Sequence, residues 1–166
     1  IDWKKFYVRL EKYLLQYYKL KDSANKRFTI LFELKSTQYQ RALKIEIRKE
    51  TKKIKTESAI AYSPNSTVQV LMRTVALDEM MKSKIEAFLS RREIRDAYDI
   101  EFLLKKGISL SGGKEVMKKL KAGLERLGKK GFSVKLGALL DAVERKYYLE
   151  EGFKIIRARL GEKLNE

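Results

Sequence analysis

Lys84 falls four residues after Met80 and four before Phe88, in a stretch where Leu77, Met80, Met81, Ile85 and Phe88 share one helical face. An ammonium on such a face either snorkels to the edge of the stripe or meets an anion. That anion is a carboxylate of a neighbouring helix or a bound phosphate. The following stretch supplies carboxylates: in Arg95-Asp96-Ala97-Tyr98-Asp99 the two aspartates lie three apart, on one side of a helix. Asp99 adjoins Ile100 and Leu103, both candidates for the core. Two readings stand side by side. One is a salt-bridged brace between two helices; the other is part of an active site.

Glu46 is the third candidate. It lies between Lys44 and Arg48 on the polar side of an alternating strand, Leu43 to Ile47. There it serves either as one half of a solvated ion pair or as a metal-ligating carboxylate at the mouth of a sheet. The run Ser111-Gly112-Gly113-Lys114 resembles a phosphate loop only faintly. Glu115 follows the lysine where a Walker loop needs Ser or Thr, and the required earlier glycine is missing, so a helix-entry turn is expected.

Residues that are lacking narrow the chemistry further. The 166 residues contain no Cys and no His. Disulfides, thiolate nucleophiles, imidazole bases and Ser-His-Asp triads are therefore outside this stretch. Carboxylates and hydroxyls remain, and they suit a hard ion such as magnesium. Lys and Arg total 38 against 22 Asp and Glu, a formal net charge of +16. Such an excess draws polyanions, nucleic acid first and an acidic membrane surface second. Basic clusters occur at Lys49–Lys55, Lys114–Lys121 and Lys129-Lys130. Met117, Leu120 and Leu124 mark the buried stripe of their helix, so Lys118, Lys119 and Lys121 project outward as a candidate nucleic-acid-binding face. No apolar run is long enough to span a bilayer, and the first residues carry no signal-peptide core. A soluble, cytoplasmic location is expected, with no membrane partner.

The elements that position these residues follow from periodicity. Asp2 caps a helix running to about Leu20, with Trp3, Phe6, Tyr7, Leu10, Leu14 and Tyr17 along one face. That aromatic stripe reads as core rather than as a platform for bases. Lys21–Lys26 reads as a loop. The period then changes to two: Phe28–Leu34, Leu43–Ile47, Glu57–Tyr62 and Val68–Thr74 are expected strands, paired largely antiparallel. Turns are expected at Lys35–Gln40 and Ser63–Asn65. From Leu77 onward the pattern is helical, with helices expected over about Leu77–Ser90, Ile94–Lys105, Lys114–Leu127, Ser133–Tyr148 and Glu150–Leu164, Ser133 capping the fourth. The fold class is α+β: about four strands in a mixed or antiparallel sheet, then a helical half. Residues 1–76 are expected to form a sheet core and residues 77–166 a helical region packed as one unit.

The segment from Leu77 to Ile100, with Lys84-Ile-Glu-Ala, Arg92 and Arg95-Asp96-Ala-Tyr-Asp99, is similar to a signature of the AbiEii/AbiGii abortive-infection toxins. The strand Leu43-Lys-Ile-Glu46-Ile also resembles a core strand of that family. The likeness covers about Phe28–Gly107. It implies a nucleotidyltransferase fold with a helical C-terminal domain, a toxin of a two-gene toxin–antitoxin system, and an antitoxin protein as partner. It further implies transfer of a nucleotide from an NTP, with magnesium, to an RNA acceptor such as tRNA. On this resemblance Lys84 and Arg95 bind the nucleotide, Asp96 and Glu46 are catalytic with Glu46 also at the metal, and Asp99 and Arg92 support them. The family's opening motifs, a Gly-Ser turn and an Asp-x-Asp pair, do not occur here. The chain begins at Ile1 rather than Met, so the expectation is a partial or degenerate member, completed by residues outside this stretch. The competing class is a non-catalytic basic module that binds nucleic acid or a protein through its helices.

Overall fold

The computed structural model describes residues 1–37, 41–50, 53–63 and 66–165, with the backbone alone at 62 and 63. Parts of the expected turns at 35–40 and 63–65, and of the basic run at 49–55, lie outside the described residues. The protein is α+β, with contacts that group it into two compact units, Ile1–Lys53 and Ile54–Glu166.

In the first unit, helix α1 (Trp3–Tyr17) precedes strands β1 (Lys19–Asn25), β2 (Thr29–Lys35) and β3 (Leu43–Arg48), in the antiparallel order β1-β2-β3. Asp2 caps α1 by accepting the Lys5 backbone N–H at 3.0 Å. Alternation along β2 buries Ile30, Phe32 and Leu34, and these pack with Leu14, Trp3, Tyr7 and Leu10 of the helix. The Tyr7 and Phe32 rings stack with centroids 5.2 Å apart. The buried face of α1 is narrower than expected: Phe6 and Tyr17 sit at its edge and are exposed. The Tyr7 hydroxyl donates to Glu11 at 2.7 Å, and Ser23 of β1 donates to the same carboxylate at 2.6 Å. Helix and edge strand are thereby fastened by polar groups. β1 itself occupies a segment that reads as a loop. A register shift between Leu20 and Asp22 breaks its alternation, and its residues are mostly polar.

In the second unit, strands β4 (Thr56–Ser63) and β5 (Ser66–Val75) pair antiparallel as a separate two-stranded ribbon. The helices are α2 (Leu77–Arg91), α3 (Ile94–Lys105), α4 (Lys114–Glu125), a π-helix (Gly131–Leu136), α5 (Ala142–Glu150) and α6 (Lys154–Asn165). One apolar core joins them, including Met81, Ile85, Phe88, Ile100, Leu120 and Ile156. α4 meets α2 where Gly123 faces Phe88; a Cβ at residue 123 would stand 2.8 Å from the Phe88 ring. The expected single helix over 133–148 is two elements. The π-helix closes with Gly137 N–H on the Phe132 carbonyl at 2.9 Å, and Asp141, not Ser133, caps the following α-helix through the Glu144 N–H at 2.8 Å. Gly137 permits this geometry, because a Cβ there would come within 2.4 Å of the Ser133 carbonyl oxygen. Ser133 instead donates to the Lys129 carbonyl.

Candidate functional site

The turn between α2 and α3 is two residues long. Arg92 adopts a left-handed conformation with φ of 52°, and its N–H closes α2 on the Phe88 carbonyl at 2.8 Å. Glu93 follows in extended conformation and α3 begins at Ile94. This geometry makes Arg91 the last helical residue and folds its side chain onto the next helix. Its Nε donates to Asp96 Oδ2 at 2.7 Å and its Nη2 to Oδ1 at 2.6 Å, a two-pronged guanidinium–carboxylate pair. Asp96 is 1% exposed while the Arg91 side chain is 60% exposed. Asp96 also lies in the first turn of α3, where the helix dipole favours a negative charge.

Further along the same helix pair, Lys84 Nζ meets Asp99 Oδ2 at 2.5 Å, both side chains half-buried. The spacing that placed Lys84 on the apolar face therefore finds its anion in Asp99. Two ion pairs, one arginine and one lysine, thus cross from α2 to α3. Arg92 and Arg95 are exposed beside them and have no ion-pair partner among the described residues.

The other sequence candidates lie elsewhere. Glu46 is in the first unit, on the face of β3 opposite α1, across from Leu31 and 3.7 Å from Lys44. It is exposed. Lys118, Lys119 and Lys121 are exposed on α4, where Lys118 pairs with Glu115 at 2.9 Å. Among the described residues no three Asp, Glu, His or Cys side chains come together to hold a metal ion. The described residues thus do not compose a magnesium cage.

Three polar residues escaped the sequence reading. Arg91 is one. Glu101 is another, fully buried on α3. Its Oε2 accepts the Ile156 N–H at 3.2 Å, in the first turn of α6, and among the described residues its Oε1 has no hydrogen-bond partner. Burial pushes its carboxyl above the ordinary range, against the opposing pull of the α6 amides and Lys105. The third is Tyr148, buried nearby, whose hydroxyl accepts from Lys105 Nζ at 3.0 Å. Burial and the adjacent Glu101 push that phenol upward too. Nothing in the spacing of α3 distinguishes Glu101 from a solvated glutamate. The signal is tertiary, since α3 is covered by α2, the π-helix and α6.

In a chain of strongly positive charge, a lysine and an arginine of α2 are thus matched by two aspartates of α3. A family model, the nucleotidyl transferase AbiEii toxin of type IV toxin–antitoxin systems, matches residues 9–160, and the chain belongs to that family. No curated protein and no solved structure matches it individually. Membership of a type IV toxin–antitoxin family implies an antitoxin partner. Among the described residues no helix is long and apolar enough to cross a membrane.

Proposed function

We propose that this chain forms the α2–α3 side of a nucleotidyltransferase toxin site that moves a nucleotide from an NTP to an RNA acceptor. The observation that carries this reading is the convergence of Lys84, Arg91, Asp96 and Asp99 on one helix pair within the matched family region. In such a transfer an acceptor hydroxyl attacks the α-phosphorus and pyrophosphate leaves. Protein groups contribute mainly position and compensating charge. Lys84 holds the triphosphate. Its ammonium shares Asp99 but stays partly exposed, with N–H donors left for phosphate oxygens. Arg91 spends two donors on Asp96 and has three more to offer from its exposed edge. Asp96, given a catalytic role by the resemblance, is buried with both oxygens on Arg91 and acts here by fixing the guanidinium; Arg95 adds charge to the nucleotide, and Asp99 and Arg92 support the pair.

For Glu46, exposed on β3 of the first unit, the role of metal-ligating carboxylate remains a proposal that rests on the family resemblance. Magnesium is the ion the family chemistry calls for, and it would supply charge at the phosphates. Its principal ligands must come from outside the described residues. The missing Asp-x-Asp pair makes this stretch a partial or degenerate enzyme by itself.

The test uses the full-length natural gene product with each α-labelled NTP and bulk tRNA. Label should enter RNA, and Lys84→Ala and Asp96→Asn should each lower the rate by about 10²-fold or more. Label transfer that both variants leave intact would remove the α2–α3 pair from the reaction. The second reading, a binding module without catalysis, is favoured by the absent Asp-x-Asp. It predicts no transfer but salt-dependent RNA binding that survives Lys84→Ala.

A further inference from the structure

The α2–α3 turn is packed against the π-helix. Gly131 abuts Ile94, where a Cβ would lie 3.2 Å from the isoleucine Cδ1, and Lys135 Nζ pairs with Glu93 at 3.1 Å. Two regions remote in sequence therefore form one surface. Arg91, Arg92 and Arg95 come from the turn and its flanks, and Lys129, Lys130 and Lys135 from the π-helix and its approach. All six are exposed. Three carboxylates stand among or beside them, and each is already engaged: Asp96 by Arg91, Glu93 by Lys135 and Asp99 by Lys84. Arg92, Arg95, Lys129 and Lys130 have no ion-pair partner among the described residues. Self-repulsion among such groups is relieved when a polyanion lies across them.

We infer that this rim is the seat of the RNA acceptor, gripping the phosphate backbone of a double-helical segment. The inference rests on the reading of the protein as an RNA-modifying transferase and names the surface that reading leaves open. It relocates the contact from α4 to the edge of the Arg91–Asp96 pair, where a bound strand lies beside the proposed chemistry. The rim offers charge and no stacking platform: Phe132, the aromatic of the π-helix, is packed with its ring 5.3 Å from that of Phe153. Proteins that hold splayed single strands rely on exposed aromatics, whereas double-helical RNA is held through its backbone and shape. The α4 face is less suited, since Glu115 neutralises Lys118 there and Glu125 adds a second negative charge to the same helix.

The experiment is fluorescence anisotropy of a labelled RNA hairpin with a fully paired stem against the full-length protein, without NTP, across a salt series. Lys129→Glu with Lys130→Glu should weaken binding at least about tenfold near 0.1 M salt and reduce the salt slope by about 2. Lys118→Glu with Lys119→Glu and Lys121→Glu should stay within about twofold of wild type, and an unstructured RNA should bind more weakly than the hairpin. The glutamine counterparts, with thermal melts alongside, separate a charge effect from misfolding. Unchanged binding in the rim variant, an equal loss in the α4 variant, or tighter binding of the unstructured RNA each overturns the inference. Because binding is read without turnover, the transferase reading fails separately: loss of RNA binding in the rim variant with no label transfer in any protein would reject catalysis and keep the rim.

Discussion

The two units of this protein solve the burial problem on different scales. Among the described residues of Ile1–Lys53 the buried apolar cluster is Leu14, Ile30, Phe32 and Leu34, assisted by half-buried neighbours. In Ile54–Glu166 seventeen buried apolar residues form one cluster running through every helix. A small core supplies little net stability, because a short chain buries a smaller fraction of its surface on folding while each residue still loses its conformational entropy. The first unit compensates with polar fastening, the Tyr7–Glu11–Ser23 set. The second can tolerate polar groups in its interior, and among its described residues Asp96 and Glu101 are buried there. The difference teaches where chemistry can be lodged: a buried, precisely held carboxylate needs a core large enough to offset its desolvation.

The sharpest way to break this comparison is the same truncation in each core. Phe32 and Phe88 are both fully buried, and removing either ring should cost about 3–5 kcal/mol. In the first unit that approaches the whole net stability a core of its size provides. Phe32→Ala should abolish amide-exchange protection in β2 while α3 and α6 stay protected. Phe88→Ala should lower protection across α2–α6 and leave them folded at 25 °C. Retained β2 protection in Phe32→Ala would show that the first unit draws stability from more than its own core.

A subtler contrast concerns pH. Glu101 has its native-state carboxyl raised by burial, so between the ordinary glutamate range and that raised value the native protein binds more protons than the unfolded chain. Its favourable contribution is fully present below that window and is lost as pH rises through it. Glu101→Gln keeps the shape and the acceptor for the Ile156 N–H but cannot ionise. Urea unfolding from about pH 4 to about pH 8 should show a flatter stability profile for the variant, which should be the more stable protein at the upper end. Parallel profiles would mean that Glu101 titrates alike in both states.

Much of the helix pair was legible in sequence because amphipathic spacing, a short turn and charged residues agree there. Spacing puts Lys84 on the apolar face and offers Asp96 and Asp99 of the next helix as possible anions; the side chain meets Asp99. Arg91 could not be told from Arg92 by sequence. Arg91 ends α2 and reaches Asp96 while Arg92 takes the left-handed turn, a division that composition and spacing do not show. β1 was hidden by a bulge and a polar sequence, since period-two reasoning requires an unbroken register. The π-helix was hidden because one extra residue per turn leaves local composition unchanged. Glu46 reads the same in sequence and in structure, an exposed carboxylate next to Lys44, and neither assigns it more.

Arg92 supplies the finest test, because strain and function meet in it. Its φ of 52° is the positive value found among non-glycine residues of the described chain. A side chain in that region costs about 1–2 kcal/mol, and glycine there would relieve the strain. Glycine in turn carries an unfolded-state entropy penalty of about 0.5–1 kcal/mol. Arg92→Gly should therefore stabilise the second unit by about 0.5 kcal/mol, a small upward shift in urea midpoint with an unchanged slope. The same variant removes one of the unpaired cations of the rim, so its RNA salt slope should fall by about 1. Gain in stability with loss of RNA affinity is the signature of a residue retained for its charge in a conformation it does not favour. A variant that gains stability and keeps the wild-type salt slope would place Arg92 outside the RNA contact and leave the turn with strain that serves no ligand.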